Sequence, residues 1–218
     1  MASLATWLKK RSIKALSEKT TESAIQEEAK TVLIAEDNAI SRKCLKTHLE
    51  SLGYEVIADV ADGEEAVEEA RRLKPSFIIL DIKMPRMGGI EAARVITSIS
   101  PVPIILITGH VSEELAVEAA EAGVFAYLVK PVTRKHLLPA IKLAFSRFEE
   151  FKRLEQEVAD LKEALEARKL IEKAKGILMK RCKIDEEAAY KLLQTHSQKE
   201  NKKMHEIAKM IIEASKLI

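Results

Sequence analysis

The sequence predicts an α/β fold: a five-stranded, doubly wound parallel sheet, then a long connector helix and a small three-helix all-α domain. Three observations point there. Short apolar runs of four or five residues alternate with amphipathic stretches of roughly 10–15 residues five times between residues 31 and 148. Apart from the second, which contains Glu55, the runs are continuous rather than alternating, as expected of strands covered on both faces. Beyond residue 148 the strand pattern ends, and residues 148–181 contain no Pro and one Gly, Gly176.

Taken in order, Val32-Leu33-Ile34-Ala35 reads as the first strand and ends in Glu36-Asp37-Asn38. A helix over 40–52 stops at Gly53. A short strand over 54–58 leads to the Asp62-Gly63 turn and a helix over 64–73, closed by Lys74-Pro75. Phe77–Asp81 is strand three. A helix over 89–99 is broken by Pro101-Val102-Pro103, and strand four, 104–107, ends at Thr108-Gly109. A helix over 112–122 is stopped by Gly123; strand five, 125–129, ends at Lys130-Pro131; helix five begins at Thr133. Right-handed crossovers place the carboxyl ends of all five strands on one rim, where open α/β sheets carry their ligand sites.

That rim collects Glu36, Asp37, Asp81, Thr108 and Lys130. Three converging carboxylates repel unless neutralised, and Mg²⁺ suits a few carboxylates with water and a phosphate oxygen. With the charge neutralised, one carboxylate can attack phosphorus and form an acyl phosphate; a hydroxyl and an ammonium can hold the remaining oxygens. The G-x-x-x-x-G-K-[ST] phosphate cradle is absent.

The segments 32–38, 77–89, 104–109 and 127–131 together resemble the receiver domain of bacterial two-component response regulators, over about residues 31–148. The resemblance implies that Asp81 is the phosphoacceptor for a sensor histidine kinase. It implies Mg²⁺ held by Glu36, Asp37, Asp81 and the backbone carbonyl of Lys83, and phosphoryl contacts from Thr108 and Lys130. Tyr127 matches an aromatic that turns inward when the threonine shifts; the alternative is an ordinary half-buried strand aromatic. Lys130-Pro131 matches a peptide bond that is usually cis.

Helix five is expected to continue through a connector, 149–166, and on to Arg181. Phe151, Leu154, Val158, Leu161 and Leu165 are spaced 3, 4, 3, 4, a heptad seam. Such a stripe either packs on the chain's own receiver or pairs with a second copy; we expect a parallel homodimer, favoured by phosphorylation. The connector carries 3 basic and 7 acidic residues, whereas residues 167–218 carry 13 basic and 7 acidic, a net +6. Charge of that sign and density points to an anionic partner, with a solvated lysine-rich surface as the plain alternative.

Within 167–218, Asp185 is expected to cap a helix over 186–197, and Asn201 to cap a last helix over 202–217. Apolar stripes through Ile171, Ala174, Ile177 and Leu178, through Ala188, Ala189, Leu192 and Leu193, and through Ile207, Ala208, Ile211 and Ile212 should face one another. Ala174-Lys175-Gly176-Ile177-Leu178-Met179, Glu187-Ala188-Ala189-Tyr190 and Asn201-Lys202-Lys203 resemble the ANTAR domain, over roughly 157–218. This family joins receivers to three-helix RNA-binding tails acting as transcription antiterminators. The resemblance implies a dimer that binds RNA with paired hairpins, and Lys175, Arg181, Lys202 and Lys203 are the candidate contacts. Lys202 stands where the family usually has Arg, and Tyr190, expected in the core, where it has Phe. The competing reading is a helical protein-interaction or dimerisation output with no nucleic-acid role. In neither is the chain an enzyme beyond assisting its own phosphorylation.

Residues 1–30 read as an N-terminal extension or short docking helix. Hydrophobic residues are 47% of the chain, yet no apolar run approaches the ~20 residues of a membrane span, and no signal-peptide pattern precedes the first strand. Cys44 and Cys182 lack zinc-spaced neighbours. These features predict a cytoplasmic protein with free thiols and no membrane partner.

Overall fold

The computed structural model describes residues 31–110 and 112–216. The readings of residues 1–30 lie outside the described residues. One sheet has the order β2-β1-β3-β4-β5 and every pairing is parallel. In chain order the elements are β1 Thr31–Ala35, α1 Ala39–Ser51, β2 Glu55–Val60, α2 Gly63–Leu73, β3 Phe77–Asp81 and α3 Gly89–Ile99. Then follow β4 Ile104–Thr108, α4 Glu113–Glu121, β5 Ala126–Val129, α5 Arg134–Cys182, α6 Glu186–Glu200 and α7 Met204–Ser215. The chain divides into two compact units, one ending at Glu150 and one starting at Phe151.

In the first unit the continuous apolar runs serve two cores. Leu33, Ala35, Ile78, Leu80, Ile104 and Leu106 point to one face of the sheet, against Ala66, Ala93, Ile96 and Ala119 of α2, α3 and α4. Val32, Ile34, Phe77, Ile79, Ile105 and Ile107 point to the other, against Leu45 and Leu49 of α1 and Leu137 and Ile141 of α5. The period of two along each strand assigns the faces. Each fully buried Ile or Leu contributes roughly 1.5–3 kcal/mol of transfer free energy, so β1, β3 and β4 anchor this unit.

Caps set the helix limits. Asp62 accepts from the backbone N–H groups of Glu64 and Glu65, and Ser112 from that of Leu115. Gly53 and Gly123 take φ +87° and +77° at the turns after α1 and α4, where a side chain would be strained. β2 runs to Val60, beyond the predicted Ala58, because a register shift between Val32 and Leu33 lets Ala35 pair with Val60. Pro139 lies in the second turn of α5 without ending the helix. The Lys130–Pro131 peptide is cis.

In the second unit, Ala174 and Leu178 of α5, Ala189 and Leu193 of α6, and Ile207, Ala208 and Ile212 of α7 form a separate small core. Ala188, Leu192 and Tyr190 were expected to face it and are exposed. The stripe that meets the core is narrower than the apolar pattern: between residues 188 and 193 only Ala189 and Leu193, four apart on one face of α6, are buried. Asp185 caps α6, accepting from Ala188 N–H at 2.8 Å. Asn201, predicted to start α7, instead ends α6: it is left-handed, φ 52°, and its N–H donates to the Ser197 and Gln198 carbonyls. α7 starts at Met204, two residues later than expected, where Glu206 accepts from the Lys203 N–H at 2.9 Å. No helix among the described residues is long and apolar enough to cross a membrane.

Candidate phosphoryl-acceptor site and basic output domain

β1 and β3 are neighbours, so Glu36 and Asp37, just past the end of β1, come beside Asp81, the last residue of β3. One carboxylate oxygen from each of the three lies within 4.8 Å of the other two. Glu36 and Asp81 are buried and Asp37 is exposed, so the group opens to solvent on one side only. Across β4, Asp81 pairs with Ile107, which puts Thr108 one residue further toward the rim. β5 ends at Val129 opposite Thr108, and Lys130 follows it.

Lys130 reaches back over the rim. Its Nζ stands 2.9 Å from Glu36 Oε2 and 3.0 Å from Asp81 Oδ1. Burial raises the Asp81 carboxyl above its ordinary range; Lys130 opposes the shift and the charge of Asp37 adds to it. Burial likewise raises Glu36, again opposed by Lys130. Burial disfavours the Lys130 ammonium, but the two carboxylates outweigh it and its pKa moves up. Two buried carboxylates sharing one ammonium, with a third beside them, form a donor set short of positive charge. Hard oxygen donors in that arrangement fit Mg²⁺. Glu36 is itself held in place, its backbone carbonyl accepting from Arg42 Nη1 at 2.6 Å.

Thr108 is buried, and its hydroxyl donates to the His110 carbonyl at 2.6 Å. Tyr127 is turned outward, 48% exposed, beside an apolar niche lined by Ile82, Leu106, Leu115 and Ala119. Lys83 lies two residues past Asp81, in the loop between β3 and α3.

Sequence reasoning missed how that loop is fixed. Arg86, at φ 59°, ion-pairs with the buried Asp62 at the start of α2 and with Glu65 Oε1 at 2.9 Å. Gly63 N–H donates to the Met87 carbonyl at 3.2 Å, and a Cβ on Gly63 would stand 2.5 Å from that oxygen. A Cβ on Gly89 would stand 2.1 Å from the Asp81 carbonyl oxygen, so only glycine lets α3 start this close to β3. The Asp62-Gly63 pair signals a turn in sequence, but its partner 24 residues later carries no local pattern.

In the second unit the basic residues separate. Lys175 is buried and pairs with Glu172 Oε1 at 3.0 Å and Glu186 Oε1 at 2.6 Å, joining α5 to α6. An ammonium held by two carboxylates is less available to an outside anion than the exposed lysines around it. Arg181 donates to the Ser215 carbonyl, Lys202 pairs with Glu200, and Lys203 lies 3.6 Å from Glu163; all three remain exposed. Phe151, Leu154, Val158, Leu161 and Leu165 are 40–70% exposed along α5. Cys44 and Cys182 are free thiols.

Comparison with known proteins agrees with both halves of this arrangement. The family described as response regulator receiver domain matches residues 32–142, and the ANTAR domain matches residues 159–212. The chain is 44% identical over 182 residues to the transcriptional regulatory protein PdtaR of Mycobacterium tuberculosis, covering 84% of this chain and 89% of that protein. It is 36% identical over 113 residues to the chemotaxis protein CheY of Thermotoga maritima, covering 51% of this chain and 94% of CheY. Among solved structures, the CheX–CheY–BeF3–Mg²⁺ complex of Borrelia burgdorferi matches at 30% identity and TM-score 0.51, over 53% of this chain and 88% of that one. The chain therefore belongs to the response regulators, with a receiver domain followed by an ANTAR domain.

Proposed function

We propose that this chain takes a phosphoryl group on Asp81 from a sensor histidine kinase, and that the modified form binds hairpin RNA through its ANTAR domain to control transcription antitermination. The observation that carries the first half is the position of Lys130 between Glu36 and Asp81, with Asp37 closing the carboxylate group. The match of residues 159–212 to the ANTAR domain, and the net +6 charge of residues 167–218, support the second.

Glu36, Asp37, Asp81 and the Lys83 carbonyl would hold Mg²⁺, which when bound supplies positive charge to the three carboxylates and to the phosphoryl oxygens. A carboxylate oxygen of Asp81 attacks phosphorus. The P–O bond forms as the P–N bond to the kinase imidazole breaks, and that nitrogen keeps the electron pair. Lys130 orients Asp81 beforehand and afterwards faces the new phosphoryl oxygens. Thr108 supplies a hydroxyl on the neighbouring strand; drawing it to the phosphoryl group requires giving up its bond to the His110 carbonyl. Movement of Thr108 toward the phosphoryl group would leave room for Tyr127 to turn inward toward Leu106. The exposed heptad seam supports a parallel homodimer, with phosphorylation shifting its population. The chain acts in the cytoplasm as a phosphorelay acceptor, without turnover of an external substrate.

The test is RNA retention. Wild type treated with beryllium fluoride and Mg²⁺ should retain members of a randomised-loop, two-hairpin RNA pool, and Asp81→Asn treated alike should retain far fewer. Equal retention by the two would refute control through Asp81. No retention by either would favour a protein-interaction output.

A further inference from the structure

Gly176 has no packing reason to be glycine. It lies inside α5, where glycine is a poor helix former compared with alanine. A Cβ built on it meets no atom within 4 Å. Its φ is not positive, so no backbone requirement explains it either. At about 100° per residue, Gly176 points away from the side of α5 that carries the buried Ala174 and Leu178. The bare patch thus lies on the outer side, opposite the small core.

The flanks of that patch are basic. Lys169, Lys173 and Lys180 project within roughly 60° of Gly176 on the helix surface, and all three are exposed. Of the acidic groups beside it, Glu172 is bound to Lys175 through both carboxylate oxygens at 3.0 Å and Glu166 pairs with Lys169 at 2.7 Å, which leaves Lys173 and Lys180 as the cations facing the patch. Lys175 therefore screens the acidic charge of this face while staying out of it. What remains is a half-buried glycine with open space over it, bordered by ammonium groups on flexible stems.

We propose that this outer face of α5, centred on Gly176 and flanked by Lys169, Lys173 and Lys180, is where the RNA sugar–phosphate backbone lies against the protein. The inference rests on the RNA-binding reading above and names the surface that performs it. The absent side chain admits the closest approach, and the lysines neutralise phosphates on either side. A second copy of the chain packed on the same face would set like charges against each other, so the charge selects a polyanion.

Substitution at Gly176 separates this role from a structural one, because Gly176→Gln fills open space with a better helix former. The full chain, loaded with beryllium fluoride and Mg²⁺, is titrated with a fluorescent two-hairpin RNA selected from the pool on wild type. Gly176→Gln should melt at or above the wild-type temperature yet bind the RNA at least tenfold more weakly. Lys173→Ala with Lys180→Ala should weaken binding and flatten the dependence of log K on log salt by about 1–2 units. Wild-type affinity in Gly176→Gln would overturn the assignment. Loss of self-association in that variant, with unchanged RNA affinity per assembled chain, would give the face to a second copy and overturn it too. If wild type selects no RNA from the pool, the RNA reading fails before any variant is made.

Discussion

Lys130 Nζ and Asp81 Oδ1 stand 3.0 Å apart, and the same nitrogen is 2.9 Å from Glu36, so a single ammonium compensates both buried carboxylates of the rim. Removing it strands two charges. Lys130→Met should destabilise the metal-free protein by about 2–3 kcal/mol, below the value for a fully buried pair because Lys130 is partly exposed. Saturating Mg²⁺ should shrink that deficit by taking over the compensation. Urea unfolding with and without Mg²⁺ measures both, and an equal deficit in the two conditions would contradict the shared role.

The raised carboxyl of Asp81 has a sign in stability. A carboxyl raised in the folded state favours the protonated folded form, so its contribution is greatest at low pH and is lost as pH rises through the folded pKa. Without metal, the melting temperature of Asp81→Asn minus that of wild type should increase as pH rises from the ordinary carboxylate range, then level off. Mg²⁺ affinity should fall as pH is lowered over the same window, because protons compete for the same oxygens. A difference that stayed flat or narrowed with rising pH would mean burial does not govern this carboxyl.

Arg86 ties the loop after Asp81 to the buried Asp62 that caps α2. Asp62→Ser keeps a good cap and drops the ion pair, whereas Asp62→Ala drops both. Arg86→Ala and Asp62→Ser should each cost about 1–2 kcal/mol, with the double variant little worse than either; Asp62→Ala should cost about 1 kcal/mol more than Asp62→Ser. Chemical denaturation of the four variants is sufficient. Full additivity of Arg86→Ala and Asp62→Ser would show that the two residues act separately.

Leu161 is 70% exposed in the middle of the α5 seam. Leu161→Glu should leave the receiver's unfolding free energy within about 0.5 kcal/mol of wild type, as surface substitutions generally do. It should abolish the rise in sedimentation coefficient expected on adding beryllium fluoride and Mg²⁺. A mutant that still assembled would move the dimer contact off the seam.

The strands and the rim were legible because β1, β3 and β4 are buried on both faces, and unbroken apolar runs leave few alternatives. β2 has an exposed and intermediate pattern, and its end was placed two residues early. Asn201 was misplaced because asparagine serves both as a helix N-cap and in the left-handed position that ends a helix, and sequence alone does not choose. The full pairing of Lys175 was illegible for a related reason. Glu172 three residues before it was visible as a partner, but the short bond to Glu186 exists only once α6 folds against α5. The Arg86–Asp62 tie is likewise a product of packing between α2 and the β3–α3 loop, with no trace in local pattern.

Intact-mass analysis after incubation with a small-molecule phosphoryl donor and Mg²⁺ tests the assignment of Asp81 most directly. One alkali-labile phosphoryl adduct on wild type, absent without Mg²⁺ and absent in Asp81→Asn, is the predicted result. An adduct of equal yield on Asp81→Asn, or on wild type stripped of Mg²⁺, would contradict it.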